Sequence, residues 1–177
     1  MAKKAMIKRT KLLYQDNATF INTLEIELRK AKKSANKKGK KLAYRFNGTS
    51  DRFKEVKHLL DMKDQPFDQA YDYSKDFKRV LDYQGYKNYN LTFSYDGLNG
   101  IEAKFLLKNK IANVSVVMNT KKDQELPKTY NLDGVDYPVL DGDKHDLRFT
   151  ENKGYIIGLR AKGKAIKNNG TFVQSTN

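Results

Sequence analysis

Residues 86–107 read YKNYNLTFSYDGLNGIEAKFLL, and across this stretch the spacing of apolar residues passes from the helical 3.6 to the strand period of 2. Tyr89, Leu91, Phe93 and Tyr95 alternate with polar residues, and Ile101, Ala103, Phe105 and Leu107 alternate again. Between them stand two turn pairs, Asp96-Gly97 and Asn99-Gly100. The spacing predicts strands over 89–95 and 101–107. Downstream, 112–118, 129–132, 135–140, 147–150 and 155–160 are expected as further strands, with Asp133-Gly134 and Asp141-Gly142 between some of them. Such pairs accept the backbone of tight hairpins, so the segment is expected to fold as antiparallel hairpins rather than long crossovers.

Working back toward the amino terminus, the helical period takes over. Phe20, Ile21, Leu24, Leu28 and Ala31 predict a helix over 17–33, with Asp16 or Asn17 to cap its free amides. The Lys-rich run 34–41 has no apolar period and is expected as a solvated loop or an extension ordered only on binding, with Gly39 as the helix stop. A short strand over 42–46 follows. Thr49 or Ser50 is expected to cap a helix bearing Phe53, Val56, Leu59 and Leu60. A further helix is expected after Gln65, with Pro66 in its first turn and Phe67, Ala70, Tyr71, Ser74, Phe77, Val80 and Leu81 on one stripe until Gly85. The fold class that results is α+β, a helical N-terminal half packed on a meandering antiparallel β-sheet. Its expected divisions are a basic arm and helix over 1–45, an α+β core over 46–160 and a basic flexible tail over 161–177.

The 177 residues carry 35 Lys or Arg against 21 Asp or Glu, a net charge of +14. The charge is lopsided: residues 1–60 hold +12 of it, 61–146 are slightly acidic, and 147–177 are basic again. With mean hydropathy at −0.81, no stretch approaches the apolar length of a membrane span. There are no cysteines, which excludes disulfides, thiolate zinc sites and thiol nucleophiles. The amino terminus lacks the apolar region of a secretory signal, so a cytoplasmic location is expected, in the host bacterium if the gene is a phage's.

A dense cationic front points to a polyanion, because Lys and Arg that replace condensed counterions on a phosphate backbone gain affinity without reading sequence. The expected nucleic-acid-binding residues are Arg29, Lys30, Lys32, Lys33, Lys37, Lys38, Lys40, Lys41 and Arg45, with Arg160, Lys162 and Lys164 as a second patch. Lys3, Lys4, Lys8, Arg9 and Lys11 extend the front. Aromatic residues crowd 67–95. Phe67, Tyr71 and Phe77 have core spacing, whereas Tyr73, Tyr83, Tyr86 and Tyr89 fall off the stripe and are open to stacking on unpaired bases.

Two smaller clusters carry other chemistry. Asp96 with Glu102-Ala103-Lys104 resembles the Asp...Glu-x-Lys pattern of restriction-endonuclease-like nucleases, over about ten residues. That resemblance implies catalytic roles for Asp96, Glu102 and Lys104, with Mg²⁺ held by the carboxylates; Asp82 is an alternative first carboxylate. The cluster Asp133, Asp136, Asp141, Asp143, His145 and Asp146 departs from the EF-hand loop, with Asp146 where Gly belongs and Asn152 where Glu belongs. Carboxylates bonding their own turns account for it. His58 is expected on a helix surface.

In composition the chain resembles small Lys-, Asn- and Tyr-rich accessory proteins of phages and mobile elements, including anti-CRISPR inhibitors. The resemblance implies a non-enzymatic protein without cofactor that binds RNA or DNA, or a host RNA-guided nuclease with its guide, and no membrane. A metal-dependent nuclease and a virion component that contacts the genome are the alternatives.

Overall fold

The computed structural model describes residues 2–48, 51–52, 54–167 and 170–176, and the side chains of Ala2, Lys3, Lys164 and Lys167 fall outside that description. Thr49, Ser50 and Phe53, expected to start a helix, lie outside the described residues. The chain divides into two compact units, one of residues 1–46 and 52–70, the other of 47–51 and 71–177. Helices fill the N-terminal part and the class is α+β.

Unit 1 opens with two helices, α1 (Ala2–Gln15) and α2 (Asn17–Lys37). Asp16 joins them. Its amide donates to Leu12 as the last bond of α1, and its carboxylate accepts from Thr19 N at 3.0 Å as the cap of α2. These bonds from Thr19 hold the Asp16 carboxyl below its usual range. The helix expected to stop near Lys33 runs one turn further. Its end is a Schellman turn, in which Lys40 N donates to Ala35 O, Gly39 N donates to Asn36 O, and Gly39 sits at φ +66. Gly39 is therefore the stop the sequence indicated. Residues 34–37 of the run expected as a loop are the last turn of α2, because Lys, Ala and Asn continue a helix wherever nothing breaks it, and 38–41 form the turn that leaves it.

β1 (Ala43–Arg45) and α3 (Lys54–Leu60) complete unit 1. Leu28, Val56, Leu59, Leu60 and Phe67 are buried, and Phe46 meets the Phe67 ring edge-on at 5.4 Å. Glu55 is buried among them. It accepts from Asn17 Nδ2 at 3.1 Å and Arg52 Nη2 at 2.6 Å; burial raises its pKa, but the bonds from Arg52, the backbone and Asn17 together outweigh that and the net direction is down. His58 is exposed on α3 as expected.

The helix expected over the stripe from Phe67 to Leu81 is not there. In its place are β2 (Gln69–Ser74) and α4 (Phe77–Asp82). The break is chemical: Asp76 caps α4 by accepting from Arg79 N at 3.1 Å, and Ser74 Oγ accepts from Asp76 N at 3.0 Å, so the chain turns where the apolar stripe runs on. The buried Asp72 fixes β2 further. Its carboxylate accepts from Asn47 N at 2.7 Å, Asn47 Nδ2 at 3.0 Å and the Tyr89 hydroxyl at 2.9 Å, while Arg79 Nη2 stands 3.3 Å away. Burial raises the Asp72 pKa against these bonds.

Beyond it come β3 (Tyr89–Ser94), α5 (Gly100–Lys108), β4 (Val114–Met118), β5 (Thr129–Leu132), β6 (Val135–Asp141), β7 (Ile156–Arg160) and β8 (Val173–Gln174). The sheet order is β2-β3-β4-β7-β6-β5, with β8 also on β4. β4 is parallel to β3, β7 and β8, and β6 is parallel to β7. Only β5 with β6 is an antiparallel pair among those registered, closed by Asp133 at φ 49 and Gly134 at φ 82. Among the described pairs from β3 onward, the expected antiparallel meander is thus corrected to parallel pairing with the single hairpin β5–β6.

The correction turns on residues 100–108. Alternation would have put Ile101, Ala103, Phe105 and Leu107 on one face of a strand, but the segment is helix α5 and buries Ala103, Leu106 and Leu107 while Ile101 and Phe105 stay exposed. Asn99-Gly100 opens this helix instead of turning a hairpin, and α5 becomes the crossover that parallel β3 and β4 require. Residues 147–150, expected as a strand, form a 3₁₀ turn over Arg148–Thr150 around a fully buried arginine. The segment 161–177, expected as a flexible tail, supplies β8, which takes the edge of β4 at Val117 and Met118 just past where β3 leaves it.

Candidate nucleic-acid interface

The cationic end of α2 lies wholly within unit 1. Arg29, Lys32, Lys33, Asn36 and Lys37 recur at intervals of three and four, which places them on one side of the helix. With Asp64 they line an open groove of about 530 Å³. Lys33 and Lys37 stand about 6 Å apart along the helix axis.

The sequence-marked cations divide by what they touch. Arg29 donates to Glu25 at 2.8 Å and to Asp64 through both its carboxylate at 2.7 Å and its carbonyl at 2.9 Å. The bond to Glu25, then that to Asp64, raises the Arg29 pKa. Lys32 donates to the carbonyls of Gln65 at 3.0 Å and Phe67 at 3.2 Å, with Asp68 at 3.4 Å. These two side chains hold the 64–68 loop to α2. By contrast Lys30, Lys33, Lys37, Lys38, Lys40 and Lys41 are exposed, and no carboxylate among the described residues is paired with them. Lys4, Lys8, Arg9 and Lys11 are likewise exposed on α1. Arg45 is half-buried on β1.

The second expected patch is differently built. Arg160 Nη1 stands 3.0 Å from Asp141 and 3.1 Å from Asp143, and Arg160 Nε and Nη2 donate to the carbonyl of Gln124 at 3.0 and 2.9 Å. Its guanidinium is spent inside unit 2. Lys162 is exposed but donates to Asp143 at 2.7 Å. The Lys164 side chain lies outside the described residues. Asp141 also accepts from Asp143 N at 3.0 Å, the self-bonded turn expected of this acidic cluster.

The residues of the Asp...Glu-x-Lys pattern do not assemble. Glu102 and Lys104 sit on α5, where residues two apart point to different sides of the helix, and not on a strand. Lys104 donates to the carbonyl of Asp133 at 2.9 Å, Asp96 pairs with Lys75 at 3.1 Å, and the alternative Asp82 pairs with Lys78 at 2.6 Å. Among the described residues no group of three or more His, Cys, Asp or Glu could hold a metal ion.

Of the aromatic residues open to stacking, Tyr89 is buried with its hydroxyl on Asp72, and Tyr73 donates to Asp146 at 2.9 Å while accepting from Arg148 Nε at 2.8 Å. Burial pushes the Tyr73 hydroxyl up to about 12. Tyr83 and Tyr86 stack on each other at 5.4 Å. Sequence reasoning overlooked Asn36 in the groove, although its place seven residues after Arg29 was legible once the helix continued past Lys33. It also overlooked Arg79 and Arg148, whose burial no local pattern announces.

No helix among the described residues is long and apolar enough to cross a membrane. No curated protein and no solved structure matches the chain. Over residues 2–175, nearly its whole length, the chain matches the family model described as Gene product 88, and it belongs to that GP88 family.

Proposed function

We propose that the protein is a non-enzymatic binder of nucleic acid, or of a nucleoprotein such as a host RNA-guided nuclease with its guide, through the cationic end of α2. The observation that supports this reading is that Lys30, Lys33, Lys37, Lys38, Lys40 and Lys41 are gathered at one helix end, exposed and unpaired among the described residues. Holding like charges together costs repulsion that a polyanion relieves, and each phosphate contact releases counterions. The gene-product designation of the family supports a phage origin. Contacts of this kind position the chain on a phosphate backbone without specifying bases.

The test is retention of labelled RNA and DNA, single- and double-stranded, by the full chain across a salt series. Binding should fall steeply with salt, and replacing Lys37, Lys38, Lys40 and Lys41 by Ala should weaken it for all sequences alike and flatten the slope by about four. Retention of no oligonucleotide at low salt, together with failure to co-purify with an RNA-guided nuclease and its guide, would overturn the reading.

A further inference from the structure

β3 and β4 part at their carboxyl ends. Tyr95 N still donates to Ser115 O at 3.0 Å, and the chain then turns away at Asp96-Gly97, so that β3 leaves the edge of β4 before Val117. In open parallel sheets ligands bind in crevices of this kind, beyond the carboxyl ends of the strands. Here the crevice is filled by the chain's own residues 171–176.

The segment lies in the crevice as an added strand. Val173 and Gln174 pair in parallel with Val117 and Met118, and Asn119 N donates to Gln174 O at 3.0 Å. Three further contacts fit the strand to its place. Gly97, at φ +89, approaches so closely that a Cβ there would collide with the Thr171 carbonyl oxygen. The Lys75 ammonium stands 5.6 Å from the centre of the Phe172 ring, and the Tyr130 hydroxyl donates to Gln174 Oε1 at 3.3 Å. Backbone pairing along an open edge, with alternate side chains read by separate contacts, is how extended peptides are recognised.

The segment is also lightly held. Gly170, Thr171 and Ser175 are exposed, and Phe172, Val173, Gln174 and Thr176 are only half-buried. A stretch fastened by polar bonds and a ring contact at the surface opens at far less than the cost of unfolding the sheet beneath it.

We infer that the crevice between β3 and β4 is a peptide-docking groove, closed in cis by residues 171–174. Its partner is an extended segment that carries an aromatic residue and, two positions on, a glutamine. The partner's backbone pairs with Val117–Asn119, its ring takes the place under Lys75 and its amide accepts from Tyr130. All these groove residues belong to unit 2, and the groove makes no use of the α2 cations.

The experiment is titration of the ¹⁵N-labelled full chain with an unlabelled synthetic peptide GTFVQST, the sequence of residues 170–176. Saturable shifts are expected at Gly97 and at 117–119, while the chain's own Val173 and Gln174 amides move to the positions of an unpaired tail. The tethered tail competes at an effective concentration on the order of millimolar, so the parent should need high peptide concentrations. Phe172→Ala in the chain weakens that competitor, and its half-saturation should come at about fivefold less peptide. A peptide with Ala in place of Phe should bind about fivefold more weakly to either chain. Gln174→Ala, which gives up only the bond from Tyr130, decides the matter if Phe172→Ala fails to fold. Absence of saturable shifts at Gly97 and 117–119 in the loosened variant, equal half-saturation in variant and parent, or equal binding of the alanine peptide would each overturn the proposal.

Discussion

The lysines at the end of α2 in unit 1 and three arginines of unit 2, Arg79, Arg148 and Arg160, have the same formal charge and opposite circumstances. At the end of α2 the residues are lysines, exposed and close together, with no carboxylate paired to Lys30, Lys33, Lys37, Lys38, Lys40 or Lys41 among the described residues. In unit 2 three arginines are instead taken up by internal acceptors. Arg148 is 0 % exposed, donates to Glu151 at 2.7 Å and to Gly142 O at 2.6 Å, and also bonds Tyr73 and His145 O. Arg79 lies among Asp72, Asp51 and Tyr89, and Arg160 among Asp141, Asp143 and Gln124. Arginine's planar fork satisfies several acceptors from one buried place, whereas a lysine ammonium is strongly hydrated and stays in water. Charge counted along a chain therefore overstates the cations available to a partner, and it overstates them most where arginines stand beside turn carboxylates.

The sharpest way to break this contrast is to remove a buried guanidinium. Arg148→Ala leaves Glu151 and two carbonyls without their donor, and a loss of about 3–5 kcal/mol is expected in chemical denaturation, with no rescue by Arg148→Lys. A second test needs no charge at all. A Cβ at Gly97, where φ is +89, would collide with the backbone oxygen of Thr171. Gly97→Ala should therefore cost about 2–3 kcal/mol. In unit 1 a Cβ at Gly39, at φ +66, would meet nothing within 4 Å. Gly39→Ala should consequently lose only the roughly 1 kcal/mol of the left-handed backbone and shift the melting temperature slightly.

Replacing Lys37, Lys38, Lys40 and Lys41 by Ala sharpens the comparison from the other side, since the melting temperature should hold or rise slightly while nucleic-acid retention falls. A melting temperature lowered as far as that of Arg148→Ala would show these lysines to be structural. The smallest expected effect is on pH. The bond from Arg160 holds the Asp141 carboxyl below its usual range. A depressed folded-state pKa gives stability that is present above the unfolded value of about 3.9 and lost as pH falls through the folded value. Asp141→Asn should remove that acid-side loss, so its stability should vary less with pH below about 4 than that of the parent.

Much of unit 1 was legible in the sequence because its signals are local. Asp16 caps α2, Gly39 ends it, and Leu28, Val56, Leu59 and Leu60 lie on the faces their spacing predicts. The Asp133-Gly134 hairpin was legible for the same reason. The sheet's direction was not, because residues 101–107 fit a strand stripe of Ile101, Ala103, Phe105 and Leu107 as well as a helical stripe of Ala103, Leu106 and Leu107. Which stripe is buried depends on what lies opposite. The stripe from Phe67 to Leu81 misled in the same way, with a polar break at Ser74 and Asp76 that hydrophobic spacing ignores.

The sequence by itself determined the lopsided charge, the absence of thiol chemistry, the α2 helix with its stop and the mixed class, each set by composition or by residues within a turn of one another. Tertiary structure alone decided that β3, β4, β6, β7 and β8 pair in parallel, that Glu102 and Lys104 share no strand face, and which cations remain in water. The reason is that pairing direction and burial are settled between residues tens of positions apart, such as Arg160 with Gln124 or Asn119 with Thr176. Nothing in the short-range pattern of either partner encodes the other.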